Sequence, residues 1–336
     1  MIRTTHPAPP PLEVDGFSVT LHTPNVSVRP VDRVTYSVEA GEVLAVVGES
    51  GSGKTILNMA PLDLLPVGVD ADMAGSVRFE GRDLLKMTAS ELEAVRGSGI
   101  GVVFQDPLSA LNPVRKVGRQ LTEGIERNLR LTPAQSESRA AELLALVGLP
   151  DPKSRMQQYP HELSGGQRQR VGIAMGISGE PRLLIADEPT TALDVTVQAQ
   201  IVELLKDLQK RMGMAIVIIT HDFGVVSGLA DKVAVMYAGR LSELGSVRDV
   251  LVGPAHPYTR GLLQSVPSLT VPMDTKFVGL PGQPPNLAHR IDGCAFAPRC
   301  AEVRADCRGH RPGLLSVPRS SPGHLAACPV VVNQNI

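Results

Sequence analysis

A glycine-rich segment near the start of the chain has the residue types and spacing needed to hold phosphate. Residues 48–55 read Gly-Glu-Ser-Gly-Ser-Gly-Lys-Thr directly after the apolar run Val43–Val47, which matches G-x-x-x-x-G-K-[ST] after a strand. The glycines let backbone N–H groups converge on a β-phosphate, Lys54 reaches the β and γ oxygens, and the Thr55 hydroxyl ligates Mg²⁺. We predict a nucleotide site formed by Gly48, Glu49, Ser50, Gly51, Ser52, Gly53, Lys54 and Thr55.

Two adjacent carboxylates close another apolar run. Asp187 and Glu188 follow Leu183–Ala186, and the end of a buried strand is where ligands bind in α/β sheets. We expect Asp187 to hold Mg²⁺ through water and Glu188 to polarise the attacking water as general base. A solvated strand end is the alternative, which the phosphate loop upstream disfavours.

Two polar residues after further apolar runs extend this set. His221 follows Ala215–Ile219, where a neutral imidazole can hydrogen-bond a γ-phosphate and the attacking water. Gln105 follows Ile100–Phe104, and its amide can reach the metal or the water. A lone histidine at a strand end is more often structural, and Gln105 alone would indicate nothing. With the phosphate loop present, we predict catalytic roles for both.

A second glycine-rich turn opens a helix further along the chain. Its residues are Leu163, Ser164, Gly165, Gly166 and Gln167. Such a turn makes a second phosphate-facing surface, but it and the phosphate loop open different helices on different faces. The turn therefore cannot serve the chain's own phosphate loop, and it predicts a head-to-tail partner.

The apolar runs that carry these residues are short and lack alternation, which is typical of strands buried on both faces. Val233–Tyr237 is a further run of this kind, and Thr196–Met212 repeats apolar residues at the spacing of an amphipathic helix. Strand, helix, strand in this order predicts an α/β fold with a mostly parallel sheet. Residues from about 106 to 175 predict a helical insertion that includes the helix opened by the second turn.

Composition limits the class of protein and its organisation. The 336 residues are 43% hydrophobic, with 33 Lys and Arg against 34 Asp and Glu, so a sizeable core is possible and no basic field attracts nucleic acid. No apolar run reaches the about 18 residues of a membrane span and no signal peptide is evident, so we expect a cytoplasmic protein. We predict a disordered Pro-rich leader at 1–13, the nucleotide domain at 14–252 and a separate loop-rich tail module at 253–336.

The tail holds all four cysteines, spaced C-x5-C-x6-C-x20-C: Cys294, Cys300, Cys307 and Cys328. A disulfide framework is disfavoured in a reducing compartment. Structural zinc sites favour closer pairs, whereas four thiolates can hold a [4Fe-4S] cluster at wide spacing. We predict the cluster; zinc, or four ordinary thiols, are the alternatives.

Together these motifs resemble the ATP-binding cassette (ABC) transporter ATPases over roughly residues 14–250. The resemblance is carried by the phosphate loop, Gln105, residues 163–167 and 183–188, Ala192-Leu-Asp194 and Ile219-Thr-His221, in that order. It implies a P-loop NTPase fold of ABC type, with an antiparallel β subdomain, a helical subdomain that carries the second turn, and a C-terminal extension.

The resemblance to the ABC family also implies how nucleotide and partners meet. ATP with Mg²⁺ would be sandwiched between one subunit's phosphate loop and the other's Ser164-Gly-Gly-Gln167, with Asp194 at the dimer seam. The loop after Gln105 would receive a coupling helix from a membrane subunit. Family members usually stack adenine on an aromatic residue upstream of the phosphate loop; residues 19–31 contain none, so His22 or an apolar contact would take that place.

The tail resembles the C-terminal extension of oligopeptide and dipeptide permease ATPases, a group that includes some nickel importers. The segments that carry this are Ala255-His-Pro-Tyr-Thr-Arg-Gly-Leu-Leu263, Leu280-Pro-Gly-Gln-Pro-Pro285 and Gly293-Cys-Ala-Phe-Ala-Pro-Arg-Cys300. The resemblance implies a peripheral ATPase subunit at the cytoplasmic face of the inner membrane that powers peptide import, and it points to the iron–sulfur cluster as well. Implied partners are a second ATPase subunit, favoured as a paralogue, two transmembrane permease subunits and an external substrate-binding protein.

Other functions stay open at this point. An importer of nickel or another small solute would carry the same motifs. A soluble ABC ATPase that remodels DNA or ribosomes would have two cassettes, a long coiled coil or a basic surface, and the sequence indicates none of these. An exporter is disfavoured because no membrane spans are fused to the cassette.

Overall fold

Strands and helices alternate along much of the chain, in the order that the apolar runs predict. The computed structural model describes residues 8–66, 68–265, 279–289 and 291–332. Within them the strands are β1 (Leu12–His22), β2 (Ser27–Val38), β3 (Val43–Val47), β4 (Asp70–Phe79), β5 (Arg82–Asp83), β6 (Ile100–Val103), β7 (Leu183–Asp187), β8 (Ala215–Ile219), β9 (Lys232–Tyr237), β10 (Arg240–Ser246), β11 (Leu315–Ser316) and β12 (Leu325–Ala326). The helices are α1 (Lys54–Met59), α2 (Ala89–Val95), α3 (Pro107–Ala110), α4 (Val117–Leu129), α5 (Pro133–Leu146), α6 (Pro152–Gln157), α7 (Gly165–Gly176), α8 (Val195–Met212), α9 (Phe223–Leu229), α10 (Val247–Val252), α11 (Pro257–Gln264), α12 (Asp306–Gly309) and α13 (Pro329–Val332).

The apolar runs predicted as strands form strands because their residues are buried on both faces. Every residue of β3, β7 and β8 is buried. The run that begins at Ile100 is one residue shorter than predicted, since β6 ends at Val103 and Phe104 is 40% exposed. The ends of these strands, where the candidate site residues lie, are therefore close to where the sequence predicts them.

The internal contacts divide the chain into two units, each built from separated stretches. The first contains the described residues of Met1–Glu13, Ser37–Val43 and Val77–Ile219. The second contains those of Val14–Tyr36, Leu44–Ser76 and Thr220–Ile336.

In the first unit β6, β7 and β8 pair in parallel, with β7 in the middle. The amphipathic helix α8 connects β7 to β8 and buries its apolar face: Ile201, Val202, Leu204, Leu205 and Leu208. Helices α3 to α7 occupy the predicted helical insertion, and α4, α5 and α6 pack against one another. The end of α7 lies so close to β6 that a Cβ on Gly101 would collide with the Gly176 carbonyl oxygen.

The first described residues belong to the same unit and are ordered. The backbone N–H of Glu80 donates to the Pro11 carbonyl at 3.3 Å, and Arg78 pairs with Glu13 at 3.2 Å. β1 begins at Leu12, which is 4% exposed. The prediction of a disordered leader is therefore wrong for residues 8–13, and residues 1–7 lie outside the described range.

The second unit contains strands in the order β11-β12-β10-β9-β3. β3 and β9 are parallel, and β10, β12 and β11 are added antiparallel. The last two strands come from the tail, so the tail extends this sheet instead of forming a separate module. Buried Glu243 on β10 joins the parts: it accepts from the backbone N–H groups of Ala255 and His256 at 2.7 and 2.9 Å and contacts His324 Nε2 at 2.8 Å.

A further sheet has the strand order β2-β1-β4-β5. β4 and β5 pair antiparallel, with Arg78 opposite Asp83. This sheet corresponds to the antiparallel β subdomain that the ABC resemblance implies without a position in the sequence.

Candidate functional site

The phosphate loop joins β3 to α1 through backbone conformations that require glycine. Gly48 and Gly53 have φ values of 153° and 101°. A Cβ on Gly48 would collide with the Met236 carbonyl oxygen, and one on Gly53 with the Pro30 carbonyl oxygen. The glycines predicted from the sequence are thus needed for close packing of the loop against the strands around it.

Lys54 and Ser52 supply donors inside the loop. Lys54 is 6% exposed, and its Nζ donates to the carbonyl oxygens of Gly48 and Glu49 at 2.9 and 3.0 Å. The Ser52 hydroxyl is buried and has no hydrogen-bond partner among the described residues. A buried donor of this kind is costly unless a ligand satisfies it, so the loop fits a phosphate group.

Glu49 contacts two residues that no nucleotide-binding motif contains. Its carboxylate accepts from Arg299 at 2.7 and 3.0 Å, and its backbone N–H donates to the Tyr258 hydroxyl at 2.9 Å. Both partners lie in the tail segments that resemble the permease ATPases. The resemblance marked these segments as characteristic of the permease ATPases, but it did not indicate that Arg299 and Tyr258 contact the phosphate loop.

The predicted base is brought together with Gln105. Glu188 follows the last residue of β7, has a φ of 44°, and donates its N–H to the Ile219 carbonyl at 2.8 Å. Its Oε2 accepts from Gln105 Nε2 at 2.9 Å and from the Thr191 hydroxyl at 2.8 Å. Thr191 is a further candidate site residue. In the sequence, only its position three residues after Glu188 could have indicated this role. Asp187 ends β7 and is 4% exposed.

His221 lies in the turn between β8 and α9 and is exposed. The next residue, Asp222, caps α9 by accepting from the N–H groups of Gly224 and Val225 at 2.7 and 3.4 Å. This cap fixes the turn in which the imidazole stands. A contact of His221 with a γ-phosphate stays a prediction.

The second glycine-rich turn opens α7 through a reciprocal cap. Ser164 accepts from the Gln167 N–H at 3.3 Å, and the Gln167 amide oxygen accepts from the Ser164 N–H at 3.0 Å. Ser164 and Gly165 are exposed, whereas Leu163 is 2% exposed and anchors the turn. A Cβ on Gly166 would lie 2.8 Å from Val197 Cγ1, so any larger residue at this position would require the Val197 side chain to shift.

Asp194, predicted at a dimer seam, has a local role as well. Its Oδ1 accepts from the Val197 N–H at 2.9 Å and caps α8. Asp194 is exposed, and its neighbour Val195 is 82% exposed. The residue therefore stands on a surface that a partner can reach, although its place at a seam stays a prediction.

The predicted iron–sulfur cluster is wrong. Cys307 and Cys328 are buried in an apolar cluster with Ala297 and Val330, and Cys294 packs against it. Burial raises the pKa of Cys294 to about 11 and also raises the pKa values of Cys300 and Cys328, whereas metals bind the thiolate form. Across residues 8–66, 68–265, 279–289 and 291–332, no three His, Cys, Asp or Glu side chains are grouped to hold a metal ion. Cys294, Cys307 and Cys328 therefore pack as core thiols, and Cys300 is partly buried.

None of the described helices is both long enough and apolar enough to cross a bilayer.

Two protein-family models match the sequence. Residues 31–191 match "ABC transporter", and residues 242–307 match "Oligopeptide/dipeptide transporter, C-terminal region".

Named relatives match most of the chain. It is 48% identical over 299 residues to "Oligopeptide transport ATP-binding protein OppD" of Bacillus subtilis, covering 89% of this chain and 82% of that protein. Identity to the Escherichia coli protein of the same name is 45% over 317 residues, covering 94% and 92%. The Mycobacterium tuberculosis OppD is 49% identical over 320 residues, which are 95% of this chain, and this chain spans 52% of its length.

Solved structures of ATP-binding cassettes have the same fold over about seven-tenths of the chain. The dimeric ATP-binding cassette MJ0796, in a post-hydrolysis state with ADP and Pi, gives a TM-score of 0.62 at 27% identity, covering 70% of this chain and 99% of that chain. The cbiO1 protein of Clostridium perfringens, part of the ABC transporter complex cbiONQ, gives 0.61 at 29% identity, covering 72% and 91%.

Proposed function

The chain belongs to the ABC transporter ATP-binding proteins, in the group of the oligopeptide transport protein OppD, and from this premise we propose that it hydrolyses ATP to power the import of peptides. The match of residues 242–307 to the oligopeptide/dipeptide transporter C-terminal region carries the peptide assignment. The nucleotide site by itself is not informative about cargo, since membrane subunits and binding proteins select it.

The phosphate loop holds the nucleotide. Lys54 exchanges its two carbonyl acceptors for phosphate oxygens, and the buried Ser52 hydroxyl gains an acceptor. Thr55, Asp187 and Gln105 offer oxygen atoms, the donors that Mg²⁺ prefers. When bound, the ion neutralises charge on the phosphates.

Glu188 takes the proton of the attacking water. Gln105 and Thr191 hold its Oε2, so the carboxylate keeps one orientation while it waits for the water. His221, in the turn that Asp222 caps, would hydrogen-bond the γ-phosphate. Together these residues orient the water and accept its proton.

The exposed turn at Ser164 and Gly165 supports a head-to-tail pair of ATPase subunits, as does the dimeric state of MJ0796. In this arrangement the turn contacts nucleotide on the partner's phosphate loop, and Asp194 lies at the seam. The second ATPase subunit is a paralogue. The pair binds two permease subunits at the cytoplasmic face of the membrane, and an external binding protein delivers the peptide.

Uptake of a labelled peptide by cells that lack this gene tests the proposal. We expect the native chain to restore uptake and Lys54→Ala to leave it at the background, because the loop loses its phosphate-binding cation. Nickel uptake is followed in the same strains. Restored nickel uptake without peptide uptake would assign the chain to a metal importer and contradict the proposal.

A further inference from the structure

The phosphate loop contains one acidic residue, Glu49. A carboxylate at this position faces an electrostatic difficulty, because a polyphosphate ligand has the same sign of charge and like charges a few ångströms apart repel. The loop can tolerate Glu49 if a permanent cation neutralises it. This cation must also lie outside the site that the phosphates occupy.

Arg299 of the C-terminal extension supplies this cation. Its Nη1 and Nη2 each donate to one carboxylate oxygen of Glu49, at 2.7 and 3.0 Å, a two-pronged geometry that is strong and directional. The Arg299 side chain is 5% exposed and that of Glu49 is 25% exposed, so water screens the pair weakly. The hydrogen bonds that Arg299 donates to Glu49 raise the pKa of its guanidinium, which therefore keeps its charge.

The remaining contacts of Arg299 fix it to the tail and to the end of β9. Nε donates to the Pro281 carbonyl at 2.7 Å, and Nη1 also contacts the Tyr237 hydroxyl at 3.2 Å. The guanidinium carbon lies 5.8 Å from the Tyr237 ring centre and 5.9 Å from that of Phe296. Arg299 therefore reaches Glu49 as a rigid group rather than as a mobile surface side chain.

Tyr258 holds the backbone of the same loop residue. Its hydroxyl accepts from the Glu49 N–H at 2.9 Å, and the residue is 0% exposed. The rings of Tyr237 and Phe296 pack on it with centres 4.5 and 5.4 Å away. The chain has only 4 Tyr and 6 Phe and lacks Trp, so this group concentrates scarce aromatic residues behind the phosphate loop.

These contacts converge on the residue that also orients Lys54. The Glu49 carbonyl accepts from Lys54 Nζ at 3.0 Å, its N–H is held by Tyr258, and its carboxylate is held by Arg299. A shift of Glu49 would therefore move an acceptor of the phosphate-binding lysine. Glu49 thus connects the two tail residues to Lys54.

From this geometry we infer that the C-terminal extension completes the phosphate loop: Arg299 neutralises Glu49, Tyr258 fixes its backbone, and both are positioning residues for nucleotide binding. The inference rests on the proposed ATP site and deepens it. The extension is thereby part of the nucleotide machinery of this chain.

ATP binding by the full-length protein, measured by equilibrium dialysis, tests the charge step. Arg299→Gln leaves the Glu49 charge in place, and we expect about tenfold weaker ATP binding. Adding Glu49→Gln removes that charge, and we expect the double variant to return to within about threefold of the native Kd. An arginine that only stabilised the fold would not be rescued in this way.

Tyr258→Phe tests the backbone step, because the ring stays and the hydroxyl is lost. We expect roughly threefold to tenfold weaker ATP binding. If Arg299→Gln fails to fold, Tyr258→Phe still tests whether the tail contacts with Glu49 affect ATP binding. Arg311→Gln is the matched control, since Arg311 lies in the same extension and pairs with Asp32 at 2.9 Å. We expect the control to keep the native Kd for ATP even if its Tm falls.

The outcomes separate the two proposals. ATP binding by the native chain that Lys54→Ala abolishes supports the ATP site independently of the extension. If folded Arg299→Gln and Tyr258→Phe then bind ATP as tightly as the native chain, the inference is overturned and the ATP site stands. An equal loss in Arg311→Gln would also overturn it, because the effect would then be general destabilisation. A native chain that binds no ATP would end the proposed function, and the inference with it.

Discussion

Glu188 accepts hydrogen bonds from neutral donors at the end of a buried strand. Gln105 and Thr191 lie 2.9 and 2.8 Å from its Oε2. Two donors on one carboxylate oxygen hold the side chain in a single orientation. The arrangement suits a group that must take a proton from water.

We expect Thr191→Ala to lower kcat for ATP hydrolysis about tenfold with the Kd for ATP unchanged, because the carboxylate loses part of its orientation. Steady-state ATPase activity of the assembled transporter measures this. Thr191→Ser keeps the hydroxyl and should retain most of the activity, whereas Glu188→Gln should fall at least about 100-fold. An equally large loss in Thr191→Ser and Thr191→Ala would argue for a packing role of the threonine methyl group.

Residues that belong to a contiguous motif were predictable, and those that join it through space were not. Gln105 and Glu188 were predicted because each follows a buried strand, and parallel strands end at one edge of a sheet. Arg299 and Tyr258 are 250 and 209 residues from Glu49 along the chain. No spacing rule relates residues so far apart, and only the folded chain identifies the contact.

At the scale of elements, α11 starts from a histidine that is buried without charge. His256 caps the helix, its Nδ1 accepting from the Tyr258 N–H at 3.0 Å, and it is 2% exposed. Burial lowers its pKa from 6.5 to about 3. A proton on Nδ1 would remove the acceptor that caps α11, the helix that carries Tyr258 to the phosphate loop.

The free energy of unfolding should therefore decrease as the pH falls from 6.5 toward about 3. In this window the unfolded chain binds a proton at His256 and the folded chain does not, whereas above it both are neutral and the residue has no effect. His256→Asn keeps a capping side chain. Between pH 6.5 and about 3, its free energy of unfolding should decrease less than that of the native protein, by a few kcal/mol at the acid end. Urea unfolding across the pH range measures the difference. Parallel curves for the two proteins would contradict the buried neutral state.

The strands that could be predicted from the sequence are those whose residues are buried on both faces. Runs such as Val43–Val47 were predicted as strands because an unbroken apolar stretch of that length fits a sheet covered on both faces. The short tail strands β11 and β12 have two residues each, too few for any pattern. The cysteine spacing permitted a cluster, but the apolar surroundings of Cys307 and Cys328 were not readable from spacing.

At the scale of the whole molecule, the turn at residues 163–167 predicts a site that two chains complete. Ser164→Arg should leave the Kd for ATP of the isolated subunit unchanged and lower the ATPase activity of the assembled transporter about tenfold or more, because the new side chain displaces the partner's nucleotide. Ser164→Ala removes the cap without adding bulk, at a cost to stability of about 1 kcal/mol. The ATPase activity of Ser164→Ala shows how much of the loss comes from the missing cap and how much from the arginine side chain blocking the partner's nucleotide. Weaker ATP binding by the isolated Ser164→Arg subunit would contradict action on the partner's site.

The pairing of Arg299 with Glu49 also has a consequence for synthesis. The phosphate loop leaves the ribosome early, but the guanidinium that neutralises it comes 250 residues later, and β12, which pairs with β10, comes later still. Contacts of such long separation form late in folding, because a large loop must close first. A nascent chain thus contains its phosphate-binding residues long before Arg299 is synthesised. A stalled or truncated product would carry the phosphate loop without the side chain that pairs with Glu49.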